Sequence, residues 1–328
     1  MEPIPPRERI ATSAAGAPIA FPTLGFSFHL EPLVPADAGA LAMATDRILA
    51  ALGASLKWQW SSVHGEVEPF GAGAFDLIGA LPGQLDDSAA QKLADPRARD
   101  GASAMNAAHY DKLGVACHGG ADRNVASPHT VRFFSRVTPS GTPLLRADAM
   151  LAATMPIDTP LDVFQRLAVG VASDLRIRWG VAGYTYGAWE LDRYGDARAA
   201  IFAHARRHPG FDVGQHSTYM RELHDRLRTV SWLTFVGEGL LGNVAFAPDP
   251  LVTVSKVGAG AGANAGAGAA VMLRAGDRPE SGDVNRRQIP LAYQRVDAAL
   301  RPLRASTGIH FYAPWSAATT EAWLRRFE

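Results

Sequence analysis

Four of the ten histidines, His204, His208, His216 and His224, fall within 21 residues of one another. A pair four apart on a helix turns both rings to one side, so His204 and His208 could fill two coordination positions of a metal. Glu222 or His224 could close such a site. A metal-dependent hydrolase built on His204, His208 and His224 is the chemistry this cluster allows. The residues between the first pair, Ala205-Arg206-Arg207, argue against it. A helix of the H-E-x-x-H kind carries its general base there, whereas here two cations sit beside the site. His208 also precedes Pro209 at a helix C-terminus, where the helix dipole favours a histidine. Capping and surface roles are the stronger reading.

Other chemistry has less support. The lone Cys117 stands next to His118 and before Gly119-Gly120. A thiolate nucleophile needs a base brought across the fold, and sequence adjacency does not give that geometry. A buried apolar role suits Cys117 better. The serine-elbow pattern G-x-S-x-G is absent, because Gly25-Phe26-Ser27-Phe28-His29 and Gly101-Ala102-Ser103-Ala104-Met105 both fail at the last position. The tract Gly258–Ala270 has no G-x-G-x-x-G register and no following G-K-[ST], so it reads as a loop and not as a phosphate cradle. Trp58 and Trp60 share one side of a strand and suit packing better than a sugar platform. The pairs Arg206-Arg207 and Arg325-Arg326 read as solvated charges. No catalytic or cofactor-binding set is assigned, no cofactor is expected, and partner-binding residues are left unassigned.

The elements that position these residues follow from periodicity and punctuation. Residues 1–20, rich in Pro, Ala and Ser, read as a disordered leader. A half-buried strand is expected from Leu24 to Leu30. Pro35 and Asp37 then open a helix carrying Leu41, Ile48 and Leu52 and closed by Gly53. Strands are expected at Leu56–Trp60, Val131–Val137 and Gly180–Trp189. Thr159-Pro160-Leu161-Asp162 marks a helix start, with Thr159 as cap and Phe164, Ala168, Val171 and Leu175 at helical spacing. A further helix runs from about Asp196 to His208 and stops at Pro209-Gly210. A polar helix-like stretch, Tyr219–Leu227, and an apolar run, Val230–Val236, come next. Two strand-like runs flank the Gly/Ala tract and predict a hairpin with a long loop. A helix from Pro290 to Leu300, a strand at Phe311-Tyr312 and a helix over Thr319–Phe327 complete the chain. Residues 82–125 carry no clear period.

Strands and helices without β-α-β spacing predict an α+β fold: a mixed, largely antiparallel sheet flanked by helices. One domain is expected over 21–328, with a two-lobed division near 125–150 as the alternative. At 328 residues the chain can bury a core without staples. Ala supplies 58 residues, so the 47% apolar share overstates the large side chains. The 32 basic and 32 acidic residues balance, which argues against wrapping nucleic acid or coating an anionic membrane. One cysteine, no secretory signal pattern at Met1–Pro6 and no apolar run of about 18 residues point to a cytoplasmic protein.

Three segments carry a resemblance: His208-Pro209-Gly210-Phe211-Asp212-Val213, Val230–Gly237, and Gly282-Asp283-Val284-Asn285-Arg286 with Pro290-Leu291-Ala292-Tyr293. In order and spacing the stretch from about 130 to 305 is similar to the type VI immunity protein family, associated with effectors of the VRR-Nuc nuclease type. The resemblance implies a non-enzymatic protein. It would bind and neutralise a cognate antibacterial effector of the type VI secretion system, encoded next to this gene, by occluding its active site. Direct nucleic-acid binding and a membrane are not expected.

Overall fold

The computed structural model of the chain describes residues 11–80, 112–139, 145–188, 194–214, 226–258, 269–305 and 311–328, apart from 14, 15, 63, 72, 243, 245 and 312. In chain order the strands are β1 (Ala11–Thr12), β2 (Pro18–Leu30), β3 (Trp58–Ser61), β4 (Val67–Pro69), β5 (Lys112–His118), β6 (Thr130–Pro139), β7 (Leu145–Pro156), β8 (Ile177–Ala188), β9 (Leu233–Gly237), β10 (Val252–Val257) and β11 (Ala270–Ala275). The helices are α1 (Ala38–Leu52), α2 (Gly73–Ala80), α3 (Leu161–Asp174), α4 (Tyr194–Arg207), α5 (Glu238–Leu241), α6 (Leu291–Leu300) and α7 (Ala317–Leu324). They form an α+β fold around one open sheet in the order β10-β11-β9-β8-β2-β7-β6-β5-β3-β4, with β1 added beside β2. Its strand pairings are antiparallel throughout.

The sheet is built on β2, which pairs with β7 on one side and β8 on the other. Both flanks of β2 are therefore covered, and its residues from Pro22 to Leu30 are all buried. It begins at Pro18, six residues ahead of the expected start at Leu24. Leu24, Phe26 and Phe28 alternate along it, as a strand with one apolar face must. Phe28 stacks on Phe26 and meets Phe235 of β9 edge-on at 5.2 Å. Two helices shield this core. In α1, Leu41, Ala44, Ile48 and Leu52 recur three or four apart and are buried; in α3, Phe164, Leu167, Ala168 and Val171 do the same. The two helices pack together, and Arg47 ties α1 to Asp174 at the end of α3 at 2.9 Å.

Most expected elements are present, with local differences. The α3 helix starts after Pro160, and no side chain caps it, so Thr159 does not serve as the expected cap. Phe311 lies outside any strand. The strands around the Gly/Ala tract do pair, in register from Val252↔Ala275 to Val257↔Ala270; residues 259–268 themselves lie outside the described residues. So does 215–225, which holds most of the polar stretch Tyr219–Leu227. β6 and β7 pair over ten positions, from Thr130↔Thr154 to Pro139↔Leu145.

Candidate functional site

Segments distant in sequence meet where α4 ends. The helix stops at Arg207, and His208 turns the chain toward the loop before α6. His208 Nδ1 donates to the Gly282 carbonyl at 2.7 Å, and the Gly210 amide donates to the Ser281 carbonyl at 2.8 Å. Gly210 is required here, since a Cβ would lie 1.8 Å from the Glu280 carbonyl oxygen. Arg207 reaches Asp283 at 2.9 Å. Asp283 also caps the short turn Val284–Arg286 by accepting from the Asn285 amide. Gly282, at φ 63°, makes the left-handed turn that presents this cap. Trp232 of the third segment is fixed to the end of β11: its carbonyl accepts from the Ala275 amide and its indole donates to the Gly276 carbonyl.

Buried ion pairs lock this convergence. Arg228 gives Nη2 to both oxygens of Asp212, at 2.5 and 2.7 Å, and Nη1 to the Gly214 carbonyl. Both partners are almost inaccessible, at 1% and 4% exposure. Such a pair is costly to desolvate but far costlier to leave half-removed. A second pair joins Arg304 to Asp297 of α6 at 2.6 Å. Arg326, just past α7, donates to the Pro209 carbonyl and the Thr229 hydroxyl, with its guanidinium 3.5 Å over the Trp323 ring. The C-terminus thereby clamps two of the converging segments. Of the two expected solvated pairs, Arg325-Arg326 is divided: Arg325 faces outward to Glu321, and Arg326 serves as the clamp.

The candidate chemical residues fall as follows. His204 and His208 do come together, with ring centroids 4.5 Å apart. His204 Nδ1, however, pairs with the Tyr186 hydroxyl at 2.9 Å, and its ring meets Phe211 edge-on. Burial, with His208 and Arg207 adding to it, pushes its pKa down to about 4. His216, Glu222 and His224 lie outside the described residues. Among the described residues no three metal-binding side chains converge. Cys117 is 1% exposed and burial pushes its thiol up to about 12, so it packs as an apolar side chain. His118 is fully buried and accepts from the Gly120 amide at Nδ1; desolvation lowers it to about 4. Trp58 and Trp60 are half-buried against the sheet, and the Trp58 indole donates to the Gly120 carbonyl. Sequence reasoning placed the three segments but missed the charges that hold them, Asp212, Arg228, Asp297 and Arg304.

A shallow depression of about 430 Å³ opens over the middle of the sheet, beside the convergence. Asp212, Gly214 and Ser231 from the converging region and Ser27, Thr130 and Thr154 from the sheet are among its lining residues. Thr154 donates to the Pro128 carbonyl, which leaves Thr130 to donate to Thr154 at 2.8 Å. These hydroxyl protons are committed to the fold.

A family model described as TsiV, type VI immunity for VRR-NUC, matches residues 81–327, which include every converging segment. The chain belongs to this family. As a TsiV member it is an immunity protein of the type VI secretion system. The Pseudomonas aeruginosa T6SS protein PA0821 shares the fold, with a TM-score of 0.70 at 17% sequence identity over 97% of this chain and 87% of that one. No curated protein sequence matches the chain. In this TsiV member, no helix among the described residues is long and apolar enough to cross a membrane.

Proposed function

We propose that this protein binds and neutralises a cognate type VI effector, a nuclease acting in the cytosol, by occluding its active site. The observation that carries this reading is the family match over residues 81–327. It is supported by the duties of the candidate chemical residues. His204 is held neutral against Tyr186 and Phe211, His208 is spent on the Gly282 carbonyl, and Cys117 is packed away. A protein that plugs a toxin needs a rigid scaffold and a specific surface, and the clamped convergence supplies rigidity. The partner is the VRR-Nuc effector encoded beside this gene, and the site of action is the cytoplasm.

The test is genetic. Cells carrying the neighbouring toxin gene are expected to die when this gene is deleted and to survive when it is restored. Survival of the deletion strain against that toxin would count against the proposal. The metal-hydrolase alternative has its own check. Stoichiometric zinc or manganese in purified protein, lost on His204→Ala, would revive it.

A further inference from the structure

The structure gives the outward side of the convergence a composition unlike its interior. Arg207 and Arg286 approach the same oxygen of Asp283, at 2.9 and 3.9 Å. The ends of α4 and of the turn Val284–Arg286 therefore stand side by side, and α4 touches that turn. Their sequence neighbours Arg206, whose guanidinium lies 5.2 Å over the Phe202 ring, and Arg287 are exposed as well, so the two adjoining segments, a shelf on this side, carry four arginines and one carboxylate. Arg287 is the sole non-glycine among the described residues with a left-handed backbone, φ 56°, which ends the turn and sets the chain off toward α6. Asp283 is held below the usual carboxylate range, chiefly by Arg207, so the shelf keeps its one negative charge and a net positive balance at neutral pH.

Two exposed aliphatic side chains flank these arginines. Val284 and Leu291 are 40% and 51% exposed, and both belong to the eight residues that contain Arg286 and Arg287. Arginines interleaved with exposed aliphatics are the makings of a protein-binding surface, where Arg is enriched and apolar area is gained on contact. Phosphate backbones offer no apolar partner, and the chain as a whole carries no basic excess.

We infer that this shelf, Arg206, Arg207, Val284, Arg286, Arg287 and Leu291, docks an acidic, partly apolar surface of the cognate effector. The inference rests on the proposed immunity function. It adds the polarity of the contact: the effector presents carboxylates to this side. Long-range attraction between such surfaces speeds encounter and weakens with salt, whereas the aliphatic contacts slow release.

The test compares binding of the catalytically disabled effector to the full-length protein and to the variant R206E/R286E/R287E by calorimetry, at low and at high salt. These residues are exposed, and the thermal unfolding midpoint of each preparation shows whether the fold is kept. Arg123→Glu, on the exposed turn between β5 and β6, serves as the control. The expected result is a roughly 100-fold weaker complex for the triple variant, with a flattened salt dependence, against an unchanged one for the control. Leu291→Ser, which leaves every charge in place, is expected to raise the dissociation rate about tenfold. Equal affinity of wild type and triple variant would overturn the inference and leave the immunity function standing. Absence of any complex with the wild type would overturn the function itself. Tight binding of a fluorescent duplex DNA by the wild type, lost in the triple variant, would also overturn the inference, because the shelf would then read phosphates.

Discussion

The inside and the outside of the convergence region use arginine for opposite ends. Inside, Arg228 and Arg304 are nearly inaccessible, and each is held by a buried carboxylate at 2.5 to 2.8 Å, with Glu328 a further 3.4 Å partner of Arg304. Outside, Arg207 and Arg286 share Asp283, and they and their neighbours Arg206 and Arg287 are exposed. Stripping a buried guanidinium of its carboxylate is strongly destabilising, so the interior pairs favour the arrangement in which the segments meet. An exposed guanidinium costs little and contributes little to stability, so the exterior set is free to serve recognition. Stability and binding should therefore separate on substitution.

The interior should show the largest effect. Asp212→Ala strands the Arg228 charge and is expected to cost about 3–5 kcal/mol in urea unfolding. The double change Asp212→Ala with Arg228→Met should recover much of that loss, because no charge is then left buried. Recovery without the second substitution would mean that the pair does not hold the segments. A smaller but broader effect is expected from pH. His118 and His204 are pushed down to about 4 from an ordinary value near 6.5, mainly by desolvation, and the buried His29, stacked 4.0 Å from Trp179, is lowered well below it. Between pH 6.5 and 4 the unfolded chain binds protons that the native one refuses, so stability falls as pH falls through that window. The unfolding midpoint should drop steadily from pH 7 to pH 4, and His204→Gln should make the drop shallower. A midpoint insensitive to pH in that range would show these rings to be protonated or exposed.

The same contrast explains what could be read from the sequence. Helices α1, α3 and α6 were legible, since Leu41, Ile48 and Leu52, or Phe164, Ala168 and Val171, repeat at the helical period. Strand β7 was not. Its sequence, LRADAMLAATMP, is built from Ala, Leu and Met, good helix formers, and becomes a strand because β2 and β6 pair on both its sides. Strand β5 lay in the stretch without a clear period; Gly114 and Ala116 blur its alternation. Of the site, the segments around Pro209, Trp232 and Asp283 stood out by order and spacing. Their meeting did not, because Arg207 and Asp283 are 76 residues apart and nothing local links them. Arg206-Arg207 read as solvated charges; both are exposed, but Arg207 is ion-paired with Asp283, which comes with Arg286 and Arg287 from a turn that only the fold brings alongside.

The exterior should give the smallest stability effect. R206E/R286E/R287E is expected to unfold at the wild-type midpoint while losing affinity for the effector. A large drop in the midpoint would erase the distinction between scaffold and surface. Removing Arg166, which pairs with Asp162 on the exposed side of α3, should change neither stability nor binding measurably.

The most direct measurement is the stoichiometry and affinity of the purified full-length protein with the catalytically disabled product of the adjacent gene, by size-exclusion chromatography with light scattering and by calorimetry. Immunity by occlusion requires a tight one-to-one complex, and restoring the effector's active site should then leave no nuclease activity while the complex persists. A mixture that elutes as two separate species, with the nuclease still active, would contradict the immunity function.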